Sequence, residues 1–191
     1  ASKSLPPNTI RSWDPPLEYY IPDLIRTIQA HYPDRMGQIE PIVLHLQPFL
    51  TQHPEYPVAF CHGDFHPLNI LWGRNEIIGV IDWEFSGAKP RLYDIANMLG
   101  CIGMENPEAL AEEMVIDFIR YFFDEDFGSP PEWKYLVDLM LSIRFGWMAE
   151  WFRRHDIEMI DLEITYMQFL MQYNNELISH WGILNDITGK A

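Results

Sequence analysis

Cysteine is scarce: Cys61 and Cys101 are the two in 191 residues, in neither metal-ligand nor redox spacing. This excludes a disulfide scaffold and points to a reducing cytoplasm. Positive charge is scarce too, with 13 Lys and Arg against 28 Asp and Glu and a net charge of −15. A phosphate backbone or an anionic membrane surface would be repelled, so neither nucleic acid nor membrane is an expected partner. A cationic small molecule or a bound metal is compatible with this balance. Long apolar runs are absent, the purely apolar stretches being a handful of residues at most, such as Ile77-Ile78 or Phe122-Phe123. A membrane span needs about 20 such residues, so none is expected. The start, Ala-Ser-Lys-Ser-Leu-Pro-Pro, has no apolar h-region, so no signal peptide is expected. No internal repeat or low-complexity tract is visible.

What is present is an ordinary globular composition, 48% hydrophobic and 21% charged. A chain of this size buries roughly 70% of its unfolded surface, enough for a full core. Residues 1–20 begin irregularly, with Asp14-Pro15 and Ile21-Pro22 as helix-start signals. Helices are expected over about 22–31 and 38–53, the second kinked or ended early by Pro48. Val58-Ala59-Phe60-Cys61 is a short β-type run. Ile70-Leu71-Trp72 and Ile77 to Ile81 flank Gly73-Arg74-Asn75-Glu76 and read as a β-hairpin. After Pro90 the pattern is helical. Asn106-Pro107 is an N-cap with Pro at the first position, followed by Leu110, Met114, Phe118 and Phe122 at helical spacing. Ser129 to Glu132 has the capping-box form and opens a long helix whose face is Trp133, Leu136, Met140, Trp147 and Trp151. Asp156 caps a last helix with the face Ile160, Ile164, Met167, Leu170, Asn174, Leu177 and Trp181. The expected fold is one mostly α domain over 1–191 with a small β-hairpin.

One segment carries chemistry: His62-Gly63-Asp64-Phe65-His66-Pro67-Leu68-Asn69-Ile70-Leu71. It is a loop between two β-type runs, where reactive side chains are usually placed. Asp82 closes the second hairpin strand, and the hairpin folds it back beside the loop. Asn69 and Asp82 offer the hard oxygens that Mg²⁺ prefers alongside phosphate oxygens and water. Asp64 is then placed to orient, or take a proton from, an attacking hydroxyl. That division of labour is phosphoryl transfer.

Three stretches carry a family resemblance. They are His62-Gly63-Asp64 with Asn69, then Ile81-Asp82-Trp83-Glu84, then Gly87 and Pro90 with Asp94-Ile95-Ala96. Together they resemble the aminoglycoside phosphotransferase and choline kinase group, small-molecule kinases with the protein-kinase fold. Residues 61–97 carry the strong motifs. The resemblance implies the carboxy-terminal lobe of a kinase-like fold, with ATP as co-substrate. It implies Asp64 as the catalytic aspartate and Asn69 and Asp82 as Mg²⁺ ligands. It implies a supporting role for His62, and for Asp94 as acceptor of catalytic-loop amides. His66, Glu84, Trp147, Glu150 and Trp151 are candidates for acceptor binding. Residues 118–152 hold 11 aromatics, and aromatics with carboxylates suit cationic ligands. The same rings at helical spacing also read as core.

Two departures matter. Position 68 is Leu where the family often has Gly. Before residue 60 there is one glycine, Gly37, and one lysine, Lys3, and neither fits the strand–turn–strand of a phosphate-covering lobe. The amino-terminal nucleotide-clamping lobe is therefore expected to be absent. The chain alone is then expected to bind MgATP weakly, to lack kinase activity, and to self-associate through the uncovered lobe face. Two alternatives stay open. One is a non-catalytic binding lobe. The other is a metal-dependent phosphoesterase, since Gly63-Asp64-Phe65-His66 resembles that class's Gly-Asp-x-His. Its companion motifs, an earlier Asp-x-His and a later Gly-Asn-His, do not occur. No residue selects the acceptor, or ATP over GTP.

Overall fold

The computed structural model describes residues 17–183. The helix-start signal at Asp14-Pro15 and the irregular first residues lie outside them. Two helices lead: α1 (Leu17–His31) and α2 (Met36–Gln52). Four short strands follow, β1 (Val58–Cys61), β2 (Ile70–Trp72), β3 (Ile77–Val80) and β4 (Gly87–Pro90). Six α-helices follow among the described residues: α3 (Tyr93–Glu105), α4 (Glu113–Asp124), α5 (Pro130–Lys134), α6 (Leu136–Arg154), α7 (Ile157–Gln172) and α8 (Asn174–His180). This is the expected mostly helical, kinase-like carboxy-terminal lobe with a small hairpin.

The core is built around α6. Ten consecutive residues, Leu136 to Phe145, are buried, so this helix is enclosed on all sides rather than amphipathic. It packs against α3, α7, α1, α2 and α8. The stripe expected on the last helix is buried throughout: Ile160, Ile164, Met167, Leu170, Asn174, Leu177 and Trp181.

Several boundaries differ from the sequence expectation. Helix α1 begins at Leu17, so Pro22 is interior. Helix α2 runs through Pro48 to Gln52 instead of ending early. Pro48 and Leu44, whose carbonyl loses its partner, both lie on the exposed face, where water satisfies that carbonyl. The long helix opened by Ser129 is two helices, broken at Tyr135 with φ −101° and ψ 18°. Tyr135 joins a ring cluster with Phe49 and Tyr56. The last helix is likewise broken at Tyr173, φ −100° and ψ 15°. All three expected caps form. Asn106 Oδ1 accepts from the Glu108 N–H at 3.2 Å, but it opens the 3-10 helix Pro107–Ala111, and α4 starts separately at Glu113, leaving Met114 exposed. Glu132 Oε2 accepts from the Ser129 N–H at 2.7 Å, and Asp156 Oδ1 accepts from the Met159 N–H at 3.1 Å.

The strands form two separate antiparallel pairs. The expected hairpin pairs Ile70 with Val80 and Trp72 with Ile77, with an irregularity between Leu71 and Trp72. The other pair is unexpected: β1 joins β4, Val58 opposite Pro90 and Cys61 opposite Gly87. These two ladders hold both ends of the loop 62–69. Around them the surface is apolar. Phe60, Leu71, Trp72, Ile77, Ile78 and Trp83 are all more than 40% exposed. Among the described residues no helix is long and apolar enough to cross a membrane.

Candidate active site

The loop between β1 and β2 is held from below by α3. Asp94, in the first turn of α3, accepts from two consecutive amides, His62 N–H to Oδ2 at 2.7 Å and Gly63 N–H to Oδ1 at 2.9 Å. One turn further along, the buried Asn97 donates Nδ2–H to the Phe65 carbonyl at 3.2 Å. The backbone is therefore tied down on both sides of Asp64. Sequence reasoning missed Asn97, although its i+3 spacing from Asp94 puts both on one helix face. Burial pushes the Asp94 carboxyl up from its ordinary value, while the two amides and nearby positive charge pull it back.

Glycine is required at position 63. Its φ is +86°, and a Cβ there would lie 2.1 Å from the Phe85 carbonyl oxygen. His62 is buried, and its ring is fully engaged. Nε2 faces the Ile81 carbonyl at 2.8 Å, and Nδ1 faces the Asp64 N–H at 3.2 Å. A carbonyl demands a donor and an amide an acceptor, so the ring is neutral with its proton on Nε2. Neither nitrogen is free to ligate a metal, which removes the His-x-Asp-x-His cluster that a phosphoesterase reading needs. Among the described residues no group of three or more His, Cys, Asp or Glu side chains is placed to hold a metal.

Asn69 is 7% exposed and closes the loop. Its Nδ2 donates to the Asp64 carbonyl at 2.8 Å and to Asp64 Oδ2 at 3.1 Å. With the amide nitrogen committed to Asp64, its Oδ1 is the oxygen left for another partner. His66 Nε2 lies 3.4 Å from the same Asp64 Oδ2. The Ile81 N–H donates to the Asn69 carbonyl at 3.0 Å, which sets Asp82 beside the loop as the hairpin geometry requires. Asp82 is not in the strand itself. β3 stops at Val80, and Asp82 is left-handed, φ 65° and ψ 59°, before the 3-10 turn Trp83–Phe85. Its carboxylate is exposed, as is Glu84 in that turn. The structure therefore brings His62, Asp64, His66, Asn69 and Asp94 together by hydrogen bonds and close contacts, with Asp82 one residue beyond the Ile81 N–H that bonds to Asn69.

Trp147, Glu150 and Trp151 lie near the end of α6. The two indoles stack at 6.1 Å, and the Trp151 Nε1–H donates to Glu163 Oε2 at 3.1 Å. Glu163 is the partner of Arg144 in a buried bidentate pair at 2.6 Å and 2.6 Å. Arg144 lies 5.6 Å from the Trp147 ring and Arg154 lies 5.7 Å from the Trp151 ring. Glu150 accepts from Arg153 and Arg154, which hold its carboxyl down to about 2. Neither cysteine is primed as a nucleophile. Burial pushes the Cys61 thiol up to about 12 and the Cys101 thiol up to about 11. A cavity of about 280 Å³ lies behind the loop, lined by Phe60, His62, Trp83, Asp94, Phe118 and Phe122 among others.

Comparison with known proteins agrees with this arrangement. The sequence profile of the phosphotransferase enzyme family, APH, matches residues 2–131. Over 84 residues the chain is 33% identical to an aminoglycoside 3'-phosphotransferase of Enterococcus faecalis. That alignment covers 44% of this chain and spans 29% of the length of the relative. No solved structure matches. A profile match over most of the chain, carried by a loop whose every tether is in place, makes this protein a member of the phosphotransferase enzyme family.

Proposed function

We propose that this chain carries the catalytic half of an ATP-dependent phosphotransferase that phosphorylates a hydroxyl of a small molecule. The observation that carries the reading is the clamping of Asp64. Its backbone is gripped from both sides by Asp94 and Asn97, and its carboxylate is oriented by Asn69. Phosphoryl transfer asks mainly for positioning, and rigid placement of one carboxylate supplies it. Asp64 accepts a hydrogen bond from the acceptor hydroxyl, aligns it for attack, and takes its proton as the new P–O bond forms.

Asn69 and Asp82 fit a magnesium ion. Asn69 presents Oδ1 because Nδ2 is used on Asp64, and Asp82 presents an exposed carboxylate; a few hard oxygens completed by phosphate and water are what the ion prefers. Asn69 Oδ1 and the Asp82 carboxylate would hold the ion, which would supply charge neutralisation to the triphosphate. His62 and Asp94 shape the loop. His66 and Glu84 stand at its rim as acceptor contacts, and Trp147, Glu150 and Trp151 form a further acceptor wall. A cationic acceptor at that wall must displace Arg153 and Arg154 from Glu150. The triphosphate clamp comes from an amino-terminal lobe that covers the apolar face around β2 and β3. Without it, that face pairs copies of the chain.

Calorimetry with MgATP tests the reading. The isolated chain is expected to bind weakly and turn over nothing. A longer, two-lobed form is expected to be active and to lose activity on Asp64→Ala or Asp82→Ala. Full activity in Asp64→Ala would overturn the assignment, and a two-lobed form with no MgATP binding would favour a non-catalytic lobe.

A further inference from the structure

Asp82 holds a left-handed backbone, φ 65°, although it is not a glycine. An aspartate tolerates that conformation better than most residues but still loses free energy in it. Surrounding ties must therefore keep it there. The peptides before it are fixed one by one. The Ile81 N–H donates to the Asn69 carbonyl at 3.0 Å, and the Ile81 carbonyl accepts from His62 Nε2 at 2.8 Å. The Val80 carbonyl is taken by Trp83, whose indole Nε1–H donates to it at 2.8 Å. That bond starts beyond Asp82 and ends before it, so it closes a ring of chain over Ile81 and Asp82.

The indole is itself anchored. Its ring lies 4.6 Å from the His62 ring and stacks on Phe60 at 6.3 Å, with 14° between the planes. The Trp83 carbonyl accepts from the Ser86 N–H at 3.0 Å, which closes the 3-10 turn. The same His62 imidazole accepts from the Asp64 N–H at 3.2 Å. One pair of rings thus joins the segment carrying Asp64 to the segment carrying Asp82. Trp83 is 49% exposed, so burial alone does not fix its orientation. A phenylalanine at 83 would still pack on His62, but only the indole supplies a donor for Val80.

We propose that Trp83 is a positioning residue for Asp82: its N–H latches the left-handed backbone, and its ring braces that backbone against His62, so that the Asp82 carboxylate stays beside the loop. This rests on the reading of Asn69 and Asp82 as magnesium ligands, and extends it to a side chain that touches neither metal nor substrate.

Two substitutions in the chain test this without metal. Trp83→Phe keeps a ring on His62 and removes the N–H. Asp82→Gly removes the need for a latch, since glycine takes a left-handed backbone freely. Trp83→Phe should lower the guanidinium midpoint of the parent, and lower it clearly less when Asp82→Gly is also present. By nuclear magnetic resonance, the Asp82 backbone carbons should carry a left-handed signature in the parent and drift toward extended values in Trp83→Phe. A parent without that signature overturns the proposal with no variant at all. So do equal midpoint losses in the two backgrounds, or Asp82 carbons unmoved by Trp83→Phe. In an active two-lobed form, Trp83→Phe should raise the Mg²⁺ concentration for half-maximal rate about three- to tenfold, the worth of one hydrogen bond. The KM for acceptor should stay unchanged, and excess Mg²⁺ should recover kcat. A kcat loss that excess Mg²⁺ leaves in place also overturns the proposal. An intact Trp83–Asp82 coupling in a two-lobed form that transfers no phosphate would instead overturn the functional reading and leave this one standing.

Discussion

Replacing Asp94 by alanine removes the only side chain that accepts from the His62 and Gly63 amides among the described residues, and both amides lie in a buried loop base. A hydrogen bond to a charged group contributes about 1.5–3 kcal/mol net, so two amount to roughly 3–6 kcal/mol. Part of this is offset, because burial already disfavours the ionised carboxylate and raises its pKa. We expect a net loss of about 2–4 kcal/mol for Asp94→Ala, with Asp94→Asn losing less because its Oδ1 keeps one of the two bonds. The assay is guanidinium unfolding followed by tryptophan fluorescence at neutral pH. With a slope of roughly 4 kcal/mol per molar, the midpoint should fall by about 0.5–1 M. The melting temperature should fall by about 5–15 °C. A midpoint within about 0.1 M of the unmodified chain, with unshifted amide resonances for His62 and Gly63, would refute the claim that Asp94 holds the loop.

Gly63→Ala should cost more than about 2 kcal/mol. The left-handed backbone alone costs about 1–2 kcal/mol for an alanine, and the new Cβ meets the Phe85 carbonyl at 2.1 Å. A Gly63→Ala chain as stable as the parent to denaturant would contradict this packing. Glu163→Met should cost about 3–5 kcal/mol by stranding the buried Arg144, whereas Arg144→Met with Glu163→Met should recover most of that; chemical denaturation of the three variants checks the ordering. His45 is raised above 6.5 chiefly by its hydrogen bond to Asp138, with burial opposing. A raised pKa stabilises the folded state fully below 6.5 and loses that contribution as pH rises through the folded value. Unfolding midpoints should therefore decline above pH 6.5 more steeply in the parent than in His45→Gln, and parallel curves would disprove it.

Local signals in the sequence carried a large part of this fold. The capping box at Ser129, the cap at Asp156, the hairpin turn at 73–76 and the stripe from Ile160 to Trp181 all stand as read, because each is decided within one or two turns of chain. The reactive loop was legible for a related reason. His62-Gly63-Asp64 with Asn69 is held by bonds inside the loop itself, and Asp94 announces itself within a recognisable motif. What the sequence could not decide depends on elements far apart in the chain. Gly87–Pro90 has no strand composition, and becomes β4 only because β1 presents an unpaired edge to it. Nothing near Tyr135 or Tyr173 breaks a helix; the turns there follow the packing of the segments around α6. Arg144 and Glu163 read as surface charges until α6 is enclosed, when burial forces them together. Asp82 was placed beside the loop by the hairpin, yet its left-handed backbone comes from the Ile81–Asn69 bond and the turn after it. Lys89 is the sharpest case. Its neighbours in sequence assign it nothing, and only the β1–β4 ladder lays its stem across Gly63.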